Sequence, residues 1–196
     1  MKLPIGFYLR ENTLTIAKEL IGKFIYTNMN GEITGGMIVE TEAYIGPEDR
    51  GSHAFEGRRT AKNDTMYQAG GVVYMYICYG IHDMLNIVTG LEGSSHAILI
   101  RAVEPTIGIK LMQFRRGDVP LKRLCKGPGS LAKALGLNKS HDQTSLTGNL
   151  LWIEDEGLKI KQGNIIASPR VGLSCPEPYL SIPWRFTLFG NSFVSK

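Results

Sequence analysis

Residues 72–86 read VVYMYICYGIHDMLN. Val72, Val73 and Ile77 are interleaved with Tyr74, Tyr76 and Tyr79, the run breaks at Tyr79-Gly80, and a second apolar stretch follows. β-Branched and aromatic residues on both sides of a glycine turn predict strand 72–78, turn 79–82 and strand 83–88. Tyr74 and Tyr76 fall on one face of the first strand, where core packing accounts for at least one of them. Tyr79 is different. A ring beside a turn glycine is poorly placed for a core, so it reads either as a half-exposed turn tyrosine or as a ring meant for something outside the protein.

The rest of the chain gathers around this hairpin. Asn12 or Thr13 caps a first helix with Leu14, Ala17, Leu20 and Ile21 on one face, and Gly22 stops it. Residues 23–28 read as a strand, Asn30-Gly31 as a hairpin turn, and 37–44 (MIVETEAY) as the returning strand. Residues 46–63 are polar and rich in glycine and arginine, and a loop of that length is usually functional or disordered. A short helix at 63–68 precedes the tyrosine hairpin. A strand at 97–103 follows it, and Pro105 suits the first turn of a helix running to Arg116. KGPGSLAKALG gives a loop and a helix ending at Gly136. Short strands fall near 150–154, 164–168 and 185–189. Strands in runs, with helices between them, imply the α+β class. One domain over residues 1–196 is expected, built on a curved, mostly antiparallel sheet with packed helices and a protruding hairpin.

Composition narrows the class of protein. The 196 residues include 43% hydrophobic and 20% charged side chains, with a net charge of +4. That balance suits a globular domain and is compatible with nucleic acid or acidic ligands without requiring either. Cys78, Cys125 and Cys175 lack Cys-x-x-Cys spacing, so neither a disulfide framework nor a zinc knuckle is expected. The first residues carry Pro4 and charges where a signal peptide needs an apolar run. No stretch approaches the roughly 20 apolar residues of a membrane span. A cytoplasmic chain with no membrane partner is the expectation.

VETEAY places Glu40, Glu42 and Tyr44 on one strand face. The carboxylates stand roughly 7 Å apart by strand rise. Acids in so apolar a run are either salt-bridged on an edge strand or functional. A metal site would have to gather Glu40, Glu42, Asp49 and His53, but no ligand spacing such as H-E-x-x-H is present. No metal is therefore expected. Gly127 to Ala132 formally fits G-x-G-x-x-A, yet LKRLCK precedes it instead of a strand, which rules out the dinucleotide fingerprint. What survives is a helix start beside Lys122, Arg123 and Lys126, open to a phosphate or simply solvated. For Tyr79 the sharper reading is a wedge between stacked bases, since chemistry on a duplex base requires its extrusion.

Five blocks now combine: VETEAYIGPEDRGSHAFEGRRTAKNDTMY, VYMYICYGIHDMLNI, LIRAVEP, LCKGPGSLAKALGLNKSHDQ, and the PRVGL and PWRF pair near the end. Together they resemble the alkyladenine (3-methyladenine) DNA glycosylase family, over about Leu14 to Ser195, and the short N-terminus resembles bacterial members. The resemblance implies a monofunctional enzyme acting on double-stranded DNA that contains damaged purines, without metal or organic cofactor; a monomer is the default expectation for an enzyme that scans duplexes. It flips the purine out and hydrolyses its N-glycosidic bond. The resemblance also implies roles. Glu42 is the general base, and Arg101 helps hold the attacking water, with the Val171 backbone carbonyl as a further contact. Tyr44, His53 and Tyr76 wall the base pocket, and Tyr79 is the intercalating tip. Asn86 crowds the exocyclic amino group of guanine. Ile81 stands where some relatives carry methionine. Glu40 receives no role and reads as a structural partner of an arginine. Two other classes stay open on the residues alone: a damage sensor that wedges but does not cut, and a metal-dependent hydrolase on Glu40, Glu42 and His53.

Overall fold

The computed structural model describes residues 1–195. Eight strands join into one antiparallel sheet: β1 (Phe24–Met29), β2 (Glu32–Ile45), β3 (Val73–Cys78), β4 (His82–Thr89), β5 (His96–Ile107), β6 (Leu151–Glu154), β7 (Ile165–Ser168) and β8 (Arg185–Leu188). The order is β3-β4-β5-β2-β1-β6, with β8 against the second half of β2 and β7 against β8. Four helices accompany them: α1 (Ile5–Tyr8), α2 (Thr13–Glu19), α3 (Ile109–Arg116) and α4 (Pro128–Leu135). The α+β class and the antiparallel sheet read from the sequence are what the structure shows. None of the helices described is long and apolar enough to cross a membrane.

The long strand β2 organises the molecule. Its first half pairs with β1 across the Asn30-Gly31 turn, and its second half pairs with β8, while β5 lines its other edge. Beyond the first bulges its side chains alternate. Thr41 turns one way and donates its hydroxyl to the Ala17 carbonyl of α2 at 2.9 Å, and Ala43 joins the main core. Glu42 and Tyr44 turn the other way, toward the site. Asn12 caps α2 by accepting from the Thr15 N–H at 2.9 Å, as a short polar side chain at that position should. Ile16, Ala17, Leu20 and Ile21 are the face it buries, so Ile16 takes the place expected of Leu14, which is only half-buried. From α4, Leu131, Ala132, Ala134 and Leu135 join the same core, which also holds Ile98 and Ile100 of β5.

Three segments depart from the sequence reading. Pro105 does not start a helix; it lies inside β5, opposite Gly36, where the β2–β5 register shifts. A proline has no N–H for the ladder and is tolerated at such a bulge. Gly36 is required there because a Cβ would sit 2.1 Å from the Glu104 carbonyl oxygen. The helix begins only after Gly108, whose φ of 71° breaks the strand. Strand β2 begins at Glu32, five residues earlier than expected at 37, since Gly35 and Gly36 stay within the ladder. The segment at 63–68 is a single 3-10 turn, Asp64–Tyr67.

The loop over 46–63 is tied down by its own side chains. Asn63 accepts from the Thr60 N–H at 2.7 Å and donates to the carbonyls of His53 and Arg58 at 2.8 Å each. Asp49, at its start, is fully buried.

Candidate active site

Glu40, Glu42 and Arg101 form a buried ionic cluster where β2 meets β5. The register passes from Glu40 opposite Ala102 to Thr41 opposite Ile100, which leaves Arg101 without a partner in the ladder. A bulge of this kind re-aims a side chain. Here the guanidinium reaches both acids: Nε donates to Glu40 Oε1 at 2.8 Å and Nη1 to Glu42 Oε2 at 3.3 Å. Both carboxylates are wholly buried.

The two acids divide the surroundings between them. Glu40 faces inward, with Arg101, Arg185 (Nε to Oε1, 2.7 Å) and Ser195 around it. Burial by itself would raise the Glu40 carboxyl, but the Arg101 charge and the Ser195 and Arg185 hydrogen bonds carry it below the usual carboxylate range. Glu40 is thus the structural partner of two arginines, as its sequence context suggested. Glu42 accepts from the Val171 N–H at 2.7 Å (Oε1), the Tyr44 hydroxyl at 2.9 Å (Oε2) and Arg101. Three donors on a group with about four lone-pair positions leave room for one more hydrogen atom, such as that of a water. The Tyr44 phenol is held well above its ordinary pKa, mainly by burial and then by the Glu42 charge, so it stays a donor.

Beside this cluster opens a cavity of about 360 Å³, bordered by Tyr44, His53, Tyr76, Asn86, Arg101 and Val171 among others. That volume lies within the usual range of small-ligand clefts, roughly 300–1,000 Å³. All six of these residues, which come from four separate sequence blocks, converge on one space. Tyr76 and His53 meet edge to face at 4.6 Å, and Tyr74 backs Tyr76 at 5.5 Å. Tyr74 is the tyrosine of the pair that belongs to the core. Its hydroxyl lies 2.9 Å from His53 Nδ1. Burial, helped by the Arg58 charge, lowers the His53 pKa although part of the residue is open to solvent. A neutral ring results, and Tyr76, pushed up to about 12 chiefly by burial, is neutral too. Asn86 spends its amide N–H groups on the carbonyls of Tyr74 (3.1 Å) and Met84 (3.2 Å), which orients the side chain.

Tyr79 stands apart from the cavity floor, at the rim and the hairpin tip. It is 87% exposed, with Ile81 75% and Ile77 50% exposed beside it. Both turn residues have positive φ, 51° at Tyr79 and 74° at Gly80. A bulky residue rarely adopts this conformation, and such strain concentrates at functional positions. Three large side chains with exposed apolar surface at one protruding tip are a poor fit to water.

The set Glu40, Glu42, Asp49 and His53 does not come together as a metal site, and no group of three such ligands forms among the described residues. Asp49 instead grips Arg170, with Nη1 at 2.5 Å and Nη2 at 2.7 Å, both side chains fully buried. The Arg170 guanidinium lies over the rings of Tyr44 (4.7 Å) and Trp184 (5.1 Å) and donates to the Ala43 carbonyl at 3.0 Å. It therefore anchors the pocket wall and the neighbouring Val171 N–H that holds Glu42. Sequence reasoning gave Val171 a role through its carbonyl and missed Arg170. The signal lay next door, in a charged residue inside the otherwise small and apolar PRVGL.

The family described as methylpurine-DNA glycosylase matches residues 6–192. A Chlamydia felis protein named “Putative 3-methyladenine DNA glycosylase” is 42% identical over 188 residues, 95% of each chain. Proteins of the same name from Clostridium perfringens and Bacillus cereus are each 38% identical over 205 aligned residues, covering all of both chains. With a match of that extent, and with a shielded carboxylate beside an aromatic cavity, the chain belongs to the methylpurine-DNA glycosylase family, the DNA base-excision repair hydrolases.

Proposed function

We propose that this protein is a monofunctional 3-methyladenine DNA glycosylase that flips an alkylated or deaminated purine, 3-methyladenine first and hypoxanthine second, out of double-stranded DNA. It works as a monomer in the cytoplasm and hydrolyses the N-glycosidic bond of the flipped nucleotide. The observation that carries the reading is Glu42: an entirely buried carboxylate, oriented by the Val171 N–H, the Tyr44 hydroxyl and Arg101, three residues that themselves border the aromatic cavity.

The chemistry follows from that arrangement. A 3-methylated adenine is cationic and leaves as a neutral base, taking the glycosidic electron pair with it. The sugar gains oxocarbenium character, as in other glycoside hydrolyses. A water beside Glu42 adds to the anomeric carbon and gives its proton to the carboxylate. Arg101, with the Val171 carbonyl, fixes that water. Tyr44, Tyr76 and a neutral His53 offer ring faces to the cationic base, a favourable contact that an imidazolium would oppose. Asn86 crowds the amino group that guanine carries and adenine lacks. Nothing in this scheme calls on a metal or an organic cofactor.

Incubating methylated duplex DNA with the protein in the presence of a chelator, then treating with alkali, tests the reading. Strand breaks that need the protein are expected. Binding without breaks would mean a sensor, and breaks abolished by the chelator would mean a metal hydrolase.

Tyr79 supplies the wedge. Tyr79→Ala removes an exposed ring, so stability should hold, while flipping should lose about 1–3 kcal/mol, the scale of one base–aromatic stack. A 2-aminopurine placed next to the lesion reports the step. An undiminished fluorescence change in the variant would show that the ring is not the wedge.

A further inference from the structure

The segment following β8 runs back over the bulged part of the sheet. Phe193 packs on Val39 and Ala102, the residues flanking the irregular pairing. Asn191 Nδ2 donates to Glu104 Oε2 at 2.6 Å, and the Phe193 N–H to Asn191 Oδ1 at 2.9 Å. This brings Ser195 onto Glu40. Its backbone N–H donates to Oε2 at 2.6 Å and its hydroxyl to Oε1 at 2.8 Å. Arg101 Nη2 lies 3.4 Å from the same hydroxyl, and Arg185 Nη2 donates to the Ser195 carbonyl at 3.1 Å. Ser195 lies three residues past the end of the family match at residue 192.

We infer that Ser195 is a positioning residue of the active site: through Glu40 it holds Arg101 in the place from which Arg101 orients Glu42. Glu40 receives four hydrogen bonds, from Arg101, Arg185 and twice from Ser195, so the segment after β8 supplies half of them. The groups facing Glu40 are Arg101 from β5, Arg185 from β8 and Ser195 itself, with Glu42 two residues along its own strand. With the Ser195 hydroxyl gone, Glu40 loses one of these four donors, and with the whole residue gone it loses two; either way it is less well compensated and takes up a proton at a higher pH. A protonated Glu40 releases the Nε end of Arg101, and the Nη1 contact to Glu42 goes with it. The inference rests on the role proposed for Glu42.

The test compares Ser195→Ala, Ser195→Thr and a chain ending at Val194 with the wild type and Glu42→Gln. The readout is single-turnover base release from dimethyl sulfate-treated duplex DNA across the pH range, alongside DNA affinity. Ser195→Ala keeps the backbone N–H and the Phe193 anchor, so it folds, and its rate should fall roughly 10- to 100-fold, the scale of a small misplacement at a reacting centre. Its acid limb should move to higher pH while DNA affinity stays put. Ser195→Thr should recover most of the rate, and the shortened chain should match or exceed the Ala defect. A slow Ala variant with the wild-type acid limb, or one that Thr does not rescue, would reduce Ser195 to a structural role and overturn the inference. Wild-type rates in Ser195→Ala with Glu42→Gln inactive would overturn the inference alone. An active Glu42→Gln would instead remove the base assignment beneath it.

Discussion

Replacing Glu42 by Gln is expected to slow base release by about 10²- to 10⁴-fold, the range that a general base contributes. The substitution keeps the shape of the side chain and removes its ability to take a proton from water. It also disturbs the surroundings, since three donors converge on Glu42: the Val171 N–H, the Tyr44 hydroxyl and Arg101 Nη1. A carboxamide offers one oxygen. Whichever way it turns, its NH₂ group meets either the Val171 N–H or Arg101, and a buried donor left unpaired costs about 1–3 kcal/mol. Melting and DNA affinity must therefore be measured with the rate. The expected pattern is lost release from a methylated duplex, a modest loss of stability, and retained binding to an abasic-site duplex. Glu42→Asp separates charge from reach: it keeps the anion but withdraws it by one methylene, so it too should be slow. Release within about threefold of wild type in Glu42→Gln, a change of well under 1 kcal/mol in barrier, would strip Glu42 of the role.

Parts of this site were legible in the sequence because they depend on short-range periodicity. The period of two in VETEAY put Glu42 and Tyr44 on one face, and the tyrosine hairpin announced an aromatic surface ending in an exposed ring. The Asn12 cap and the Asn30-Gly31 turn were equally local. Other features were not legible, and the reasons are physical. Arg101 reaches both acids because the ladder skips it, and a bulge leaves no mark in an alternating pattern. Pro105 carries the signature of a helix start, but its missing N–H serves equally well opposite Gly36 within a strand. Glu40 could be given an arginine only in general terms, since Arg185 and Ser195 lie 145 and 155 residues away along the chain. Arg170 escaped for the same reason: its partner Asp49 is 121 residues distant, inside a loop that read only as functional or disordered. Here burial, which only the folded chain reveals, decides the role.

The Asp49–Arg170 pair carries the second large effect. Asp49→Ala should destabilise the protein by about 3–5 kcal/mol, because it leaves a buried guanidinium without its counter-ion. For a chain of this size that is a fall in Tm of about 6–20 °C. The pair does more than balance charge. Asp49 also accepts from the N–H groups of Ile45 (3.2 Å) and Gly51 (2.8 Å), and so shapes the turn that leads from β2 into the pocket loop. Arg170 in turn is stacked on Tyr44 and joined to the Ala43 carbonyl. Loss of Asp49 frees the wall that carries Val171, so activity should drop even at temperatures where the variant remains folded. The double variant Asp49→Ala with Arg170→Met removes the stranded cation and should melt above Asp49→Ala alone, since an apolar replacement of a buried pair is often close to neutral. Its base release should nevertheless stay low, because the Arg170 contacts to Tyr44 and Ala43 are gone. Thermal melts of the three chains decide the matter. If Asp49→Ala melted with the wild type, the bidentate pair would contribute little net stability, and the pocket wall would have to be held by its apolar contacts.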